Sequence, residues 1–208
     1  MKRRTSSSVA SASVATTAAI FLDKDGTLIE DVPYNIEPKN IRIYPEVPSV
    51  LTALSSAGYK LLVVSNQPGI AHGYFDRIAV ERAGNALMEM LLDAGARVDG
   101  FYYCPHHPDG KVRHYAARCE CRKPQPGLLL QAAREHGIDL SASWVVGDIL
   151  NDVEAGKRAG CRAALVDRGN ETEWLPGKWR KPDLVVNNLD GLLRHLQQKS
   201  NVQISGIR

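Results

Sequence analysis

The stretch AAIFLDKDGTLIE, residues 18–30, decides the fold, because an apolar run leads directly into two aspartates. Asp23 and Asp25 are two residues apart, so their side chains point the same way if the strand continues through them. Neighbouring carboxylates disfavour each other's ionisation, which makes this pair unfavourable at the end of a core strand. A bound cation would offset the repulsion. The stretch therefore predicts a metal site where a buried strand ends.

The overall composition is that of an ordinary globular domain. The 208 residues are 44% hydrophobic and 24% charged, with a net charge of +3. This length fits one domain with a substantial core. The basic residues are scattered, so charge does not suggest a nucleic-acid partner. No apolar run reaches the roughly 18 residues of a membrane span, and we expect a monomer without a membrane partner.

The N-terminal segment, residues 1–16, combines Lys2, Arg3 and Arg4 with a Ser/Ala/Thr-rich stretch. A targeting peptide is an alternative, but its central region would be more hydrophobic than this one. We predict a disordered tail and a cytoplasmic protein. The globular domain then covers residues 17–198, and a short C-terminal tail covers 199–208.

Six short apolar runs alternate with amphipathic stretches along the rest of the chain. The apolar runs are 18–23, 60–66, 100–105, 143–148, 161–167 and 183–187. The amphipathic stretches lie near 46–57, 76–94, 126–136, 150–159 and 189–198. Nearly continuous apolar strands separated by helices predict a doubly wound, Rossmann-like α/β fold with a parallel sheet and helices on both faces. Only residues 26–64 lie between Asp25 and Ser65, and a helix must fit among them. These residues are too few to form a large additional domain, or cap, over the edge of the sheet.

Polar residues end three of the predicted strands. Asp23 and Asp25 end the first, Ser65 the second, and Asp148 the fourth. Ligands of open parallel sheets bind at the carboxyl ends of the strands, so these side chains can converge on one site. Gly26 permits a sharp exit from the first strand.

This set of residues predicts phosphoryl transfer through an aspartyl-phosphate. Asp23 would attack phosphorus, and Asp25 would protonate the leaving oxygen and then activate water. Mg²⁺ would be held by Asp23, the carbonyl of Asp25 and Asp148. Ser65 would hydrogen-bond a phosphoryl oxygen, and Lys123 would neutralise charge on the transferring group.

The ordered motifs resemble the haloacid dehalogenase (HAD) superfamily of phosphohydrolases. They are Asp-x-Asp-Gly-Thr, an apolar strand ending in Ser-Asn, Arg-Lys-Pro and Gly-Asp-x-x-x-Asp, and they span residues 18–190. The resemblance implies the same roles for Asp23, Asp25, Ser65, Lys123 and Asp148. It also implies that Asp152, one helical turn past Asp148, positions the residues of the site without binding the metal itself.

A cysteine-rich loop lies between the third apolar run and the Arg-Lys-Pro motif. Cys104-x-His106 and Cys119-x-Cys121 supply three thiols and an imidazole, the donor set of a structural zinc site. A disulfide or a loop of free thiols is the alternative, and His107 could replace His106. Structural zinc would order the loop and orient Arg122 and Lys123.

The zinc loop beside Arg-Lys-Pro resembles the branch of the superfamily that acts on heptose bisphosphate. A sibling branch, which acts on histidinol phosphate, has fewer residues between the histidine and the second cysteine of the loop than the twelve between His106 and Cys119 here. The resemblance implies a small phosphorylated metabolite as the partner and a set of substrate-binding residues: Asp31, Tyr34, Ser65, Asn66, Gln67, Pro68, Arg122 and Lys123. Ile149 departs from the heptose branch, which has Lys at this position, so a second phosphate would need another partner.

Two other functions compete with hydrolysis. A signalling receiver domain also carries a phosphorylated aspartate at a strand end, but it needs neither Asp25 nor the zinc loop. A phosphomutase of the same superfamily would need a closing cap to exclude water.

The segment 169–182 is predicted to be a surface loop near the rim of the site, with Arg180 and Lys181 in a solvated charge cluster.

Overall fold

A six-stranded parallel sheet forms the centre of the fold. The computed structural model describes the backbone of residues 16–205 and the side chains of residues 16–199. The strands are β1 (Ala19–Leu22), β2 (Lys60–Asn66), β3 (Gly100–Cys104), β4 (Trp144–Gly147), β5 (Arg162–Val166) and β6 (Leu184–Val186). Their order in the sheet is β3-β2-β1-β4-β5-β6. Every pair of neighbours is parallel, so the predicted sheet is confirmed.

Six α-helices lie within the described residues, five between strands and one after β6. They are α1 (Val47–Ser56), α2 (Gly69–His72), α3 (Arg77–Asp93), α4 (Gly127–His136), α5 (Leu150–Ala159) and α6 (Leu189–Ser205). Short 3-10 helices lie at Pro38–Asn40 and Leu140–Ala142. Five of the α-helices match the predicted amphipathic stretches. The short helix α2 has no such pattern, because all but its last residue are buried.

Alternate residues of β1 pack on opposite faces of the sheet and join a different apolar core on each face. Ile20 and Leu22 join the core that also contains side chains of α1, α3 and α6. Ala19 and Phe21 join the core on the other face, against α4 and α5. All four residues of the strand are fully buried. This burial on both faces explains why the strand is a continuous apolar run.

The two predicted tails can be compared with the described residues only in part. Apart from residue 16, the predicted N-terminal tail lies outside the described residues. Thr17 pairs with Ile138 in an isolated parallel bridge. At the other end, α6 continues to Ser205, into the segment predicted as a tail from residue 199. No helix within residues 16–205 has both the length and the apolarity to cross a membrane.

The order of the strands reverses beside β1, which determines where a ligand can bind. The strands β2 and β3 lie on one side of β1, and β4, β5 and β6 lie on the other. Such a switch point leaves a crevice outside the carboxyl ends of the strands. Between β1 and β2 the described structure contains only a 3-10 helix and α1, so that edge is not covered by a cap domain.

Candidate active site

A cavity of about 350 Å³ opens at the carboxyl edge of the sheet, beside the switch point. It is lined by residues that follow or end β1, β2 and β4, together with residues from three loops. The lining residues are Asp23, Asp25, Asp31, Val32, Pro33, Tyr34, Asn35, Ser65, Asn66, Gln67, Pro68, Lys123, Asp148, Ile149, Asp152 and Asn170. The catalytic residues predicted from the sequence therefore surround one cavity.

A tight loop turns the chain away after Asp25. The N–H of Gly26 donates to the carbonyl of Ile29 at 2.8 Å, and Gly26 has φ of 77°. A Cβ atom at this position would lie 2.0 Å from Oδ2 of Asp148. Only glycine combines the left-handed backbone with this close approach. The glycine of the Asp-x-Asp-Gly-Thr motif therefore leaves room for Asp148.

The ammonium group of Lys123 lies between two carboxylates. Its Nζ is 2.5 Å from Oδ1 of Asp23 and 2.6 Å from Oδ1 of Asp152. It also donates to the carbonyl oxygen of Val64 at 2.8 Å. Burial opposes the charge, but the two carboxylates outweigh it and raise the pKa of Lys123. The two carboxylates thus favour the charged form of Lys123 inside the site.

Asn66 fixes the backbone that carries Lys123. The amide nitrogen of its side chain donates to the carbonyl of Lys123 at 3.0 Å, and the N–H of Lys123 donates back to Oδ1 of Asn66 at 3.0 Å. This reciprocal pair joins the end of β2 to the Arg-Lys-Pro segment. The predicted substrate residue Asn66 therefore also positions Lys123.

Three carboxylates cluster at the base of the cavity. Carboxylate oxygens of Asp23, Asp148 and Asp152 all lie within 4.8 Å of one another. Burial, together with the charges of Asp23 and Asp152, raises the pKa of Asp148 to about 8. Burial also raises the pKa of Asp152 to about 6, although Lys123 opposes the rise. A bound divalent cation would offset the repulsion that contributes to these raised pKa values, and carboxylate oxygens are the ligands that Mg²⁺ prefers. These residues could therefore hold a magnesium ion.

Asp25 stands beside this cluster with partners of its own. Nζ of Lys24 lies 2.6 Å from its Oδ1, and the amide of Gln67 donates to its Oδ2 at 3.3 Å. The same amide donates to the hydroxyl of Ser65 at 2.8 Å. Burial raises the pKa of Asp25, Lys24 opposes the rise, and the charge of Asp23 adds to it. A raised pKa suits a carboxyl group that must carry a proton to a leaving oxygen.

Most of the predicted substrate-binding residues line the cavity, and one does not. Asp31, Tyr34, Gln67 and Pro68 are on its walls. Arg122 is not a lining residue, and its guanidinium donates to the carbonyl of His106 at 3.4 Å. Ile149, the departure from the heptose branch, lines the cavity and places an apolar side chain there.

The four predicted zinc ligands come together in the loop after β3. The side chains of Cys104, His106, Cys119 and Cys121 form a compact donor cluster. Sγ of Cys121 lies 3.0 Å from Sγ of Cys104 and 3.3 Å from Nδ1 of His106. All the cysteines are free, and 3.0 Å exceeds the length of a disulfide bond. Three sulfurs and one imidazole nitrogen match a closed tetrahedral zinc site.

His107, the alternative ligand, is not part of this donor cluster. Its ring lies 4.8 Å from the ring of His72 in α2, between centroids. The zinc loop also contacts α2 through its backbone, because Lys111 and Val112 donate to the carbonyl of Ala71 at 2.7 and 2.9 Å. The loop therefore packs on the short helix that follows Gln67 and Pro68.

The segment 169–182 contributes a residue that the sequence analysis missed. The amide of Asn170 donates to Oδ2 of Asp148 at 2.7 Å, and Asn170 lines the cavity. The prediction for Arg180 was wrong, since its guanidinium donates to Asn151 and Glu154 instead of lying in a solvated cluster. Neither residue belongs to a motif with a fixed spacing, so the sequence alone offered no signal.

Comparisons with known proteins agree with this geometry. Residues 120–192 match a family model described as HAD-hydrolase-like. The chain is 43% identical over 174 residues to the D-glycero-β-D-manno-heptose-1,7-bisphosphate 7-phosphatase of Photorhabdus laumondii, with 84% of this chain and 92% of the relative covered. It is 37% identical over 181 residues to the enzyme of the same name from Escherichia coli K12, with 87% and 94% covered.

A solved structure shows a similar fold. It is the D,D-heptose 1,7-bisphosphate phosphatase from B. bronchiseptica, complexed with magnesium and phosphate. The TM-score is 0.75 at 30% sequence identity, and the match covers 88% of this chain and 99% of that one.

Proposed function

The chain belongs to the phosphatases of the HAD superfamily, and from that membership we propose that it removes the 7-phosphate of D-glycero-β-D-manno-heptose 1,7-bisphosphate. The substrate is the one in the names of the similar proteins. Membership of this family decides against a receiver domain, which accepts a phosphoryl group without hydrolysing a metabolite. The absence of a cap in the described residues favours hydrolysis over phosphoryl transfer between substrates.

The observation that carries the proposal is the pairing of Asp23 with Lys123 inside the cavity that Asp25 also lines. Asp23 attacks phosphorus with one carboxylate oxygen, and the bond from phosphorus to the sugar oxygen breaks. Asp25 gives its proton to that oxygen. The carboxylate of Asp25 then takes a proton from water, which attacks the aspartyl-phosphate and releases inorganic phosphate and free Asp23.

Ser65 and Lys123 stabilise the phosphoryl group during both steps. The buried ammonium of Lys123 carries the positive charge that developing negative charge on the phosphoryl oxygens requires. The hydroxyl of Ser65 is held by the amide of Gln67, so it can donate its proton to a phosphoryl oxygen. Because these groups are already in place, the site reorganises little as charge develops.

Asp23, Asp148 and the backbone carbonyl of Asp25 would hold the magnesium ion, with Asp152 behind them and paired to Lys123. When bound, Mg²⁺ supplies positive charge to the phosphoryl oxygens and offsets the repulsion among the carboxylates. Cys104, His106, Cys119 and Cys121 would hold zinc. Filling all four positions leaves zinc no place for water, so its contribution is to order the loop.

Ile149 shapes the expected specificity. An apolar side chain cannot donate a hydrogen bond or a charge to a phosphate. We therefore expect cleavage at the terminal, primary phosphate, with weaker discrimination between bisphosphates and monophosphates than a lysine at position 149 would give. Arg122, which the family resemblance implies as a substrate contact, is the candidate partner for a second phosphate.

The test is a substrate panel assayed for released phosphate in the presence of Mg²⁺. It contains heptose 1,7-bisphosphate, heptose 7-phosphate, heptose 1-phosphate and histidinol phosphate. The proposal predicts the highest kcat/KM for heptose 1,7-bisphosphate and no release from heptose 1-phosphate. A kcat/KM that is highest for histidinol phosphate would assign the chain to the sibling activity instead.

A further inference from the structure

The segment 169–182 between β5 and β6 makes hydrogen bonds to the first turns of α5 near both of its ends. Near its beginning, Oε2 of Glu171 accepts the N–H of Leu150, the first residue of α5, at 2.7 Å. Near its end, the guanidinium of Arg180 donates to Asn151 at 3.0 Å and to Glu154 at 3.2 Å. Because both ends are tied to α5, the segment has a defined place beside the residue pair that precedes this helix, Asp148 and Ile149.

Glu171 adds a second carboxylate to the start of α5, where Asp152 already accepts the N–H of Ile149 at 3.3 Å. Ile149 precedes α5, and its side chain has no oxygen with which to cap the helix. The first N–H groups of a helix lack partners within the helix, and a carboxylate is favoured there by the helix dipole. Glu171 supplies that carboxylate from a distant part of the chain. This contact brings the preceding residue, Asn170, to the cavity.

Asn170 is the only residue whose side chain donates a hydrogen bond to Asp148 among the described residues. Its amide nitrogen lies 2.7 Å from Oδ2 of Asp148. Asp148 is only 4% exposed, so water cannot readily replace this donor. Gly26 leaves room for the pair, since a Cβ there would lie 2.5 Å from the amide nitrogen of Asn170. The loop after β1, the end of β4 and the segment 169–182 thus come together at Oδ2 of Asp148.

We propose that Asn170 is a positioning residue that orients the Asp148 carboxylate for binding a divalent cation. With Oδ2 held by the amide, the other carboxylate oxygen of Asp148 would be left to bind the ion. Hydrogen-bond partners of metal ligands set the orientation of those ligands, and their loss typically weakens metal binding about 10- to 100-fold. The inference rests on the proposed function, because it assumes that Asp148 is a metal ligand.

The test measures binding of Mn²⁺, as a spectroscopic substitute for Mg²⁺, by electron paramagnetic resonance of the free ion. Asn170→Ala should weaken Mn²⁺ binding by about 10- to 100-fold. Asn151→Ala is the matched control. It also removes an asparagine side chain, but this one accepts from Arg180 in the contact between the segment and α5 and has no contact with Asp148 in the structure. It should bind Mn²⁺ like the original protein. The thermal unfolding temperature without metal is measured for both variants.

The outcomes separate the inference from the function on which it rests. If the original protein binds no Mn²⁺, the proposed magnesium site is wrong. If it binds Mn²⁺ and Asn170→Ala binds equally well, the positioning role is wrong. Equal weakening in Asn170→Ala and Asn151→Ala, with equal loss of thermal stability, would also overturn it, because Asn170 would then only help to pack the segment.

Discussion

Nζ of Lys123 lies 2.5 Å from Oδ1 of Asp23, although 100 positions separate the two residues in the chain. The contact joins the strand that carries the predicted nucleophile to the segment that follows the zinc loop. Lys123 also pairs with Asp152, so one ammonium group connects three parts of the site. Its loss would leave the carboxylates of the site without their internal cation.

Lys123→Met should therefore lower kcat by about 10²- to 10³-fold, because a preorganised charge at the transferring group is lost. The matched control is Lys60→Met, which removes an ammonium paired with Asp99 at the opposite end of β2. Steady-state phosphate release measures both variants. A kcat for Lys123→Met as high as that of Lys60→Met would show that Lys123 serves only the fold.

Asp25→Asn should lower kcat by about 10²- to 10⁴-fold, since an amide can neither deliver the proton to the leaving oxygen nor activate water. Asp31→Asn removes another carboxylate from the same cavity and should change KM more than kcat. Rapid acid quenching followed by mass spectrometry reports the phosphorylated enzyme. Equal kcat values for the original protein and Asp25→Asn would contradict the role given to Asp25.

Cys121→Ser should release the zinc that we expect at about one ion per chain, because a structural site needs all four ligands. Metal analysis after dialysis measures the content. Cys161→Ser is the control, since Cys161 is a buried free cysteine outside the donor cluster. Loss of zinc should also lower activity, because metal binding and folding of such a loop are coupled. Purified protein without zinc would contradict the assignment.

Ile149→Lys should lower KM for heptose 1,7-bisphosphate more than KM for heptose 7-phosphate, because the new ammonium can pair with a second phosphate. Ile149→Met is the control for a longer side chain without charge. Initial-rate measurements with the two substrates give the comparison. An equal decrease in both KM values would show that position 149 does not face the second phosphate.

The strands and most helices could be predicted because their apolar patterns are local. Phe21 belongs to a strand buried on both faces, so the run around it is continuously apolar. Helix α2 was missed because it is short and nearly all buried, which leaves no amphipathic pattern. The end of α6 at Ser205 was also missed, since the segment after residue 198 has no apolar face that predicts a helix.

The residues around the cavity could be predicted where a motif fixes them to a strand end. Asp23 and Asp148 follow strands that meet at the switch point, so topology alone brings them together. Asn170 could not be predicted, because its contact with Asp148 depends on how a long loop crosses α5. The pairing of Arg180 with Glu154 was missed for the same reason. Such contacts are set by tertiary packing, which the residue pattern does not encode locally.

The central claim is that Asp23 is the nucleophile of a phosphatase, and one variant tests it most directly. Asp23→Asn keeps the size of the side chain but removes the carboxylate that attacks phosphorus. Phosphate release from heptose 1,7-bisphosphate with saturating Mg²⁺ is compared with that of the original protein, and circular dichroism confirms that both are folded. We predict that folded Asp23→Asn releases no phosphate above the rate without enzyme. Substantial Mg²⁺-dependent release by the folded variant would contradict the account.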